Sequence, residues 1–199
     1  MIVHKIYECE YCHAKSEKED DIIKCESSHA AVNNSKVMNT LVDGVANWII
    51  YTDGGARGNP GLGSYGWIIL RGDQKILSQG RAFRLTTNNR MEILAVISAL
   101  DVMSRSEHLN KSELIEIRSD SQLVVNTLTK NWARNSNRDL WMKLDSLRLV
   151  FPNLIFTKVK GHSGDHWNDE VDKVVNEAMD TIQVHGVLID EVYESENNK

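Results

Sequence analysis

The chain has 199 residues, of which 41% are hydrophobic and 26% are charged, and its formal net charge is −5. This length allows one sizeable hydrophobic core and a small accessory element. The sequence contains no apolar run of about 18 residues, and its acidic start is unlike a signal peptide. These features argue against a membrane protein and favour a soluble cytoplasmic one.

The negative charge lies at the two ends of the chain. Residues 1–45 contain 5 basic and 8 acidic groups, residues 182–199 contain 1 and 4, and residues 46–181 contain 17 and 16. When four candidate metal-binding acids of the central segment are set aside, that segment has a surplus of basic groups. Such a surplus suits a modest phosphate-binding face.

Cysteine and histidine residues form a compact pattern near the amino terminus: Cys9, Cys12, Cys25 and His29. This spacing is typical of a small ββα zinc finger in which a cysteine replaces one histidine. The alternatives are three incidental thiols, or His13 as the fourth ligand. Because residues 1–30 contain 4 lysines and 7 acidic residues, phosphate contact is not expected. We therefore predict a zinc-finger-like element over residues 1–30 with a structural or protein-binding role.

The rest of the chain predicts a linker, an α/β domain over residues 46–181 and an acidic tail. The linker, residues 31–45, lacks strong periodicity. Five strands are expected over residues 48–53, 66–71, 74–83, 114–118 and 154–160, with a glycine-rich turn over 54–66. Helices are expected over residues 90–104, 121–129, 139–150 and 167–182. This order indicates a mixed five-stranded sheet flanked by helices, and the tail, residues 182–199, is expected to be frayed.

Four acidic residues stand at distinctive places in this pattern: Asp53, Glu92, Asp120 and Asp172. Asp53 follows a buried strand, Asp120 lies at the carboxyl end of another, and Glu92 interrupts an apolar helix. Buried carboxylates are costly unless a cation compensates them, and oxygen ligands favour hard ions such as Mg²⁺ or Mn²⁺. A lone acid on a polar stretch is usually solvated, but these surroundings predict a divalent-metal site.

Four segments of the chain resemble successive signature segments of the type 1 ribonuclease H family: YTDGGARGNPGLGSYG, TTNNRMEILAVISAL, RSDSQLVVN and VKGHSGDHWNDEVDKV. They lie within residues 46–181 and follow the family's order. The resemblance implies the ribonuclease H fold and an endonuclease that cuts the RNA strand of RNA–DNA hybrids. It also implies two Mg²⁺ ions, which Mn²⁺ can replace, and products with 5′-phosphate ends.

The resemblance assigns roles to individual residues. The four acids named above match the family's metal-binding carboxylates, and His162 matches a flexible histidine that assists catalysis and product release. Four amides match positions that contact 2′-hydroxyls or adjacent bases: Asn59, Asn88, Asn89 and Gln122. Turn formation is the alternative role for Asn59, because it precedes Pro60.

Two features depart from the family pattern. Thr87 and Asn137 match members of a pocket that holds a DNA phosphate, but Leu85 occupies the position of the pocket's arginine. We therefore expect looser binding of the DNA strand unless Arg84 reaches into the pocket. Some family members also carry a lysine-rich protruding helix where this chain has KNWARNSNRD, residues 130–139, so the protrusion is expected to be absent.

Two other functions remain alternatives. An inactive nucleic-acid-binding scaffold on the same fold would typically lack one of the carboxylates, and all four are present. Another nuclease of the wider ribonuclease H-like superfamily would share the acids but lack the TTNNRME and GNPG segments. The expectation is therefore a ribonuclease H with an RNA–DNA hybrid as partner, Mg²⁺ as cofactor and Zn²⁺ at the amino-terminal element.

Overall fold

A computed structural model describes residues 47–107, 109–161, 164–181, 188–190 and 193 of the chain, together with the backbone of residues 7–8 and 15–16. The chain divides into two compact units, Met1–Gly44 and Val45–Lys199. In the first unit, strand β1 (Tyr7–Glu8) pairs antiparallel with strand β2 (Lys15–Ser16). The proposed zinc ligands Cys9, Cys12, Cys25 and His29 lie outside the described residues, so the zinc-finger-like element stays a prediction.

The described part of the second unit contains one β-sheet and several helices. The strands are β3 (Trp48–Gly58), β4 (Gly61–Arg71), β5 (Gln74–Thr86), β6 (Ile115–Ser119) and β7 (Leu154–Lys158). The helices are α1 (Asn88–Ser104), α2 (Gln122–Thr129), α3 (Arg138–Arg148) and α4 (His166–Asp180). None of the described helices is long and apolar enough to cross a membrane.

The strands follow the order β5-β4-β3-β6-β7 across the sheet. Strand β4 runs antiparallel to β3 and β5, whereas β6 and β7 run parallel to β3. The predicted mixed five-stranded sheet with flanking helices is therefore confirmed. The parallel register aligns Thr52 with Ser119, so the next residues, Asp53 within β3 and Asp120 directly after β6, lie side by side where β6 ends.

Helices cover both faces of the sheet. In β4, Trp67 and Ile69 belong to the core beneath α1, whereas Ile68 and Leu70 belong to a separate core beneath α4, because successive side chains of a strand point to opposite faces. Helix α1 is apolar nearly all round and shares its core with α2 and α3. Helix α4 instead has one buried stripe with a spacing of four residues, namely Val171, Val175 and Met179.

The glycine-rich segment 54–66 differs from the prediction. Most of it is not a turn, because the paired ends of β3 and β4 extend through it and are joined at Asn59 and Pro60. The glycine at position 54 has a steric reason: a Cβ there would lie 2.3 Å from the backbone carbonyl carbon of Met91. Glycine thus lets β3 touch the backbone of α1, which brings Asp53 close to Glu92.

The carboxyl-terminal tail also differs from the prediction. Leu188 pairs with Phe83 of β5, and two backbone hydrogen bonds of 2.9 and 3.0 Å flank this bridge. Asp190 is buried, and its two carboxylate oxygens accept hydrogen bonds of 2.7 and 2.9 Å from the guanidinium of Arg90. The expectation of a frayed tail is therefore wrong for residues 188–190, which a strand contact and a buried ion pair hold in place.

Candidate active site

Three of the four predicted acids line one cleft of the second unit. Asp53 belongs to β3, Asp120 directly follows β6, and Asp172 belongs to α4. The cleft has a volume of about 300 Å³, and its lining also includes Asn88 and Asn168. The fold thus brings together side chains that are up to 119 residues apart in the sequence.

The fourth acid, Glu92, lies beside the cleft rather than in its lining. Its Oε2 accepts a hydrogen bond of 2.6 Å from the hydroxyl of Ser121. Ser121 directly follows Asp120 and is the N-cap of α2, where its hydroxyl accepts from the N–H of Val124. One serine therefore begins a helix and holds Glu92 next to the strand end that carries Asp120.

Negative charge is crowded at these acids. Burial, followed by the charge of Asp120, raises the pKa of Asp53 from 3.8 to about 7. The charges of Asp172 and Glu92 act on Asp53 in the same direction. Burial also raises the pKa of Glu92, although the hydrogen bond from Ser121 lowers it. The site therefore disfavours its own ionised state unless a cation offsets the charge.

The donor atoms fit a hard divalent cation, although the side chains are not closed around one. Among the described residues, no group of three or more His, Cys, Asp or Glu side chains is arranged to hold a metal ion. Asn168, in the cleft lining, is only 5% exposed, and its Oδ1 has no hydrogen-bond partner among the described residues. A buried acceptor of this kind beside carboxylates suits a hard cation or a water that the cation binds.

The end of β7 and the residues that follow it contact Asp120. Lys158 Nζ donates a hydrogen bond of 2.7 Å to the backbone carbonyl of Asp120. A Cβ on Gly161 would lie 2.7 Å from Asp120 Oδ2, so a larger residue here would displace the Asp120 carboxylate. His162 follows directly but lies outside the described residues, and its catalytic role stays a prediction.

Two of the predicted substrate-binding amides form one hydrogen-bonded group beside the cleft. The backbone N–H of Asn88 donates to Asn59 Oδ1 at 3.1 Å, and the backbone N–H of Ala56 donates to Asn88 Oδ1 at 2.6 Å. These bonds join the β3–β4 connection to the start of α1. Asn89 and Gln122 are exposed in the first turns of α1 and α2, outside the cleft lining.

Comparisons with known proteins agree with this fold. The RNase H family model matches residues 45–180. The chain belongs to the ribonuclease H family. A relative named ribonuclease H, from Clostridium botulinum, is 40% identical over 153 residues, which cover 68% of this chain and 97% of that protein. The chain is accordingly an enzyme of the ribonuclease H type.

Two solved ribonuclease H1 structures are similar as well. The structure of LC11-RNase H1 in complex with an RNA/DNA hybrid has a TM-score of 0.61 and 30% identity, and the match covers 68% of this chain and 99% of that one. Ribonuclease H1 from the archaeon Halobacterium salinarum has a TM-score of 0.55 and 33% identity, with 67% and 97% covered. Each match spans nearly the whole relative, so the ribonuclease H segment here corresponds to a complete domain.

The predicted phosphate pocket of this ribonuclease H lies at the start of α1. Thr87 is the N-cap of α1, and its hydroxyl accepts a hydrogen bond of 3.4 Å from the N–H of Arg90. Asn137 precedes α3 in a left-handed conformation, and its Oδ1 accepts from the guanidinium of Arg90 at 3.5 Å. The structure therefore links both predicted phosphate-binding residues through one arginine.

Arg90 is a functional candidate that sequence reasoning missed. It is 3% exposed, and its guanidinium binds the carboxylates of Asp139 and Asp190, which raise its pKa. Because two acids balance its charge, Arg90 orients Asn137 rather than replacing the arginine that is absent at Leu85. The only local signal was a charged residue at the edge of an apolar helix, and its partners are 49 and 100 residues away.

The segment that carries a basic protrusion in some ribonucleases H is short here. Residues 130–137 contain no helix. Arg134 forms an ion pair with Asp145, and its guanidinium lies 5.1 Å from the ring centre of Trp141, so it is engaged within the domain. Trp132 is 45% exposed and is the large exposed apolar side chain of this segment.

Proposed function

We propose that this ribonuclease H cuts the RNA strand of RNA–DNA hybrids by two-metal-ion catalysis and leaves 5′-phosphate ends. The observation that carries the proposal is the cleft lined by Asp53, Asp120 and Asp172, with Glu92 beside it. Burial, together with the charges of the neighbouring acids, raises the pKa of Asp53, so this cluster is costly to ionise without a cation. Similarity to a ribonuclease H1 solved with an RNA/DNA hybrid supports the choice of substrate.

The four acids are the proposed ligands of two Mg²⁺ ions, which Mn²⁺ can replace. When bound, such a pair activates a water and stabilises the departing 3′-oxygen during in-line displacement at phosphorus. The charges of the other three acids all act on Asp53, so its loss should weaken cation binding most. Asn168 adds a buried oxygen without a hydrogen-bond partner among the described residues, which would accept a hydrogen bond from a water held by such an ion.

Recognition of the RNA strand is assigned to the amides. RNA displays 2′-hydroxyls in its shallow minor groove and DNA does not. Asn59 and Asn88 use their Oδ1 atoms for backbone bonds, so a contact with substrate would come from the Nδ2 donors, which suit a hydroxyl oxygen. Asn89 and Gln122, both exposed, extend this surface from α1 to α2.

Binding of the DNA strand is assigned to Thr87 and Asn137. Arg90 holds both near the start of α1, where backbone N–H groups favour an anion. Since Leu85 supplies no cation, we propose a weak grip on the DNA phosphate. His162, in the sequence directly after the glycine that packs on Asp120, is proposed to assist proton transfer and product release.

The test uses matched RNA–DNA, RNA–RNA and DNA–DNA duplexes with and without Mg²⁺. The wild-type chain should cut only the RNA strand of the hybrid, only with metal, and the products should carry a 5′-phosphate that phosphatase removes. Asp53→Asn should reduce cleavage at least about a thousandfold, because a lost metal-ligand charge is worth several kcal/mol in the transition state.

Asp73→Asn is the matched control, because Asp73 is exposed in the β4–β5 turn, away from the cleft. It should cut the hybrid at the wild-type rate. Cleavage of all three duplexes would instead indicate another nuclease of the superfamily. Tight hybrid binding without cleavage at any metal concentration would indicate a scaffold and refute the proposal.

We further propose that Cys9, Cys12, Cys25 and His29 bind one Zn²⁺ and that this element contacts a protein partner. The support is the spacing of these residues and the acidic charge of residues 1–30. Freshly purified protein should contain about one zinc per chain, and Cys12→Ser should release it. Protein without zinc would end this proposal.

A further inference from the structure

The elements that carry Asp53, Asp120 and Asp172 are joined by a hydrogen-bonded group outside the cleft lining. The group consists of Tyr51 on β3, Arg118 on β6 and Asp165 at the start of α4. None of these three residues is among the proposed metal ligands or the proposed substrate-binding residues. Each of them, however, lies on the same element as one of the acids or directly beside it.

The register of the sheet places Tyr51 and Arg118 of this group next to the acids. Tyr51 and Arg118 are paired across β3 and β6. Each is two residues before an acid, Asp53 and Asp120 respectively, and alternate residues of a strand share a face. The pair Tyr51–Arg118 is thus one step along the sheet from the two acids, on the same side.

The hydrogen bonds converge on the tyrosine hydroxyl. Arg118 donates to it at 2.8 Å, and the hydroxyl donates to Asp165 Oδ2 at 3.2 Å. Arg118 is itself held by Glu116 at 2.8 Å. Tyr51 is 2% exposed, so water does not compete for the two hydrogen bonds of its hydroxyl.

Asp165 connects the hydroxyl of Tyr51 to the start of α4. Its other oxygen, Oδ1, accepts from the N–H groups of Trp167 and Asn168 at 3.1 and 3.2 Å, which makes Asp165 the N-cap of the helix. Asp172 follows about two helical turns later. The carboxylate of Asp165 therefore fixes the start of α4 next to β3. The helix in turn places Asp172 and Asn168 near Asp53 and Asp120.

We propose that Tyr51 is a positioning residue for metal binding, which holds α4 so that Asp172 lies at the right distance from Asp53 and Asp120. This inference rests on the proposed two-metal function. The directional bond matters because apolar contact alone permits α4 to slide on the sheet, whereas a hydrogen bond fixes distance and angle. Loss of the hydroxyl should loosen the site without unfolding the domain.

The experiment compares Tyr51→Phe with Tyr65→Phe in the full chain. Both changes remove one hydroxyl from a buried tyrosine that has a hydrogen-bond partner, but Tyr65 is bound by Ser98 of α1 at 3.1 Å. Binding of Mn²⁺ to the substrate-free protein is measured by calorimetry, alongside melting temperature and hybrid cleavage. Tyr51→Phe should weaken Mn²⁺ binding about threefold to tenfold, the effect of one lost hydrogen bond, whereas Tyr65→Phe should leave it unchanged.

A second variant removes the hydrogen bond between Tyr51 and Asp165 by changing its acceptor. Asp165→Ser keeps an N-cap oxygen but is too short to reach Tyr51. In a double-mutant cycle, Tyr51→Phe and Asp165→Ser should be non-additive in Mn²⁺ affinity, because each removes the same contact.

Equal Mn²⁺ affinities of Tyr51→Phe and Tyr65→Phe, or full additivity in the cycle, would overturn the positioning role while leaving the proposed function in place. A wild-type chain that cuts no hybrid and binds no divalent cation would remove the proposed function itself. The two failures are therefore distinguishable.

Discussion

The face of the sheet beneath α1 and the face beneath α4 hold their helices by different means. The α1 face has a large apolar core to which α1, α2 and α3 all contribute. The cluster of buried residues beneath α4 is smaller and consists of Tyr51, Ile68, Leu70 and Val171, to which α4 adds the buried Val175 and Met179. Hydrogen bonds supplement this small core, including one of 2.6 Å from the hydroxyl of Ser64 to the carbonyl of Val175.

Because of this difference, the two faces are expected to contribute differently to the stability of the domain and to the placement of the acidic side chains. Apolar burial is strong but non-directional, whereas a buried hydrogen bond specifies distance and angle. Asp53 and Asp172 lie on the α4 side, where hydrogen bonds supplement the smaller core, and Glu92 comes from the α1 side. The domain is thus expected to gain most of its stability from the α1 face, and the proposed metal site should depend more on the placement of α4.

The largest expected effect is a loss of stability that differs between variants of two neighbouring residues of β4. Ile69 faces the α1 core and Ile68 the α4 core, and both are buried. Ile69→Ala should lower the free energy of unfolding by about 4 kcal/mol, and Ile68→Ala by about 2–3 kcal/mol, because α4 can settle into the space left behind. Chemical denaturation measures both values.

Cleavage should show the reverse order. Because settling of α4 moves Asp172, Ile68→Ala should lose more activity than Ile69→Ala at temperatures where both are folded. Equal losses of stability, or a larger loss of activity in Ile69→Ala, would contradict the division between the two faces.

The next effect concerns the buried ion pair at the start of α1. Asp190→Ala should cost about 3 kcal/mol, because it leaves the guanidinium of Arg90 buried with one carboxylate fewer. Asp180→Ala is the control, since its ion pair with Arg57 is about half exposed and should be worth under about 1 kcal/mol. Similar losses in thermal unfolding for the two variants would show that the tail is not anchored as described.

When a chelator removes divalent ions, replacing one of the clustered acids should increase the stability of the domain, by a smaller amount than the losses above. Asp53→Asn should raise the free energy of unfolding by about 2 kcal/mol at neutral pH, because it removes a buried repulsive charge. The pKa of Asp53 is raised in the folded state, so its contribution to stability is complete below pH 3.8 and is lost as the pH rises through about 7.

The metal-free wild-type chain should therefore lose stability between these two pH values, and Asp53→Asn should flatten that slope. Added Mg²⁺ should restore the wild-type chain at neutral pH and leave the variant nearly unchanged. A slope that is identical in the two proteins would show that Asp53 is not the crowded acid.

The smallest effect is expected at the rim of the cleft. Asn59→Ala removes the acceptor for the N–H of Asn88 and should raise KM for the hybrid about fivefold, the effect of roughly 1 kcal/mol, with little change in kcat. Steady-state kinetics with Asn110→Ala as control, an exposed residue outside the cleft, tests this. A fall in kcat without a change in KM would move Asn59 from substrate binding to support of the acids.

Sequence patterns predicted the elements better than the contacts between them. The order of strands and helices followed from periodicity, and the positions of Asp53 and Asp120 at strand ends predicted their convergence. The glycines after Asp53 predict a turn, because composition alone does not distinguish a turn from a close approach of strand and helix. Gly54 is explained only by the backbone of Met91, 37 residues later.

Long-range polar pairs escaped prediction for the same reason. Nothing near Arg90 in the sequence indicates Asp190, and nothing near Tyr51 indicates Asp165, 114 residues later. The hydroxyl of Thr87 matched a phosphate-binding position, but its local partner in the structure is the N–H of Arg90, as expected for an N-cap. Local signals identify which residues are unusual, whereas only the fold identifies what they contact.

The return of the tail to β5 has a practical consequence for handling this protein. Leu188 covers the backbone of an outer strand beside Phe83, while the first part of that strand leaves Ile76 and Leu77 about half exposed. An uncovered outer strand invites pairing with another molecule. Shortening the chain before position 188 would uncover more of this edge and promote self-association, so purification tags and fusion partners are better attached beyond residue 193.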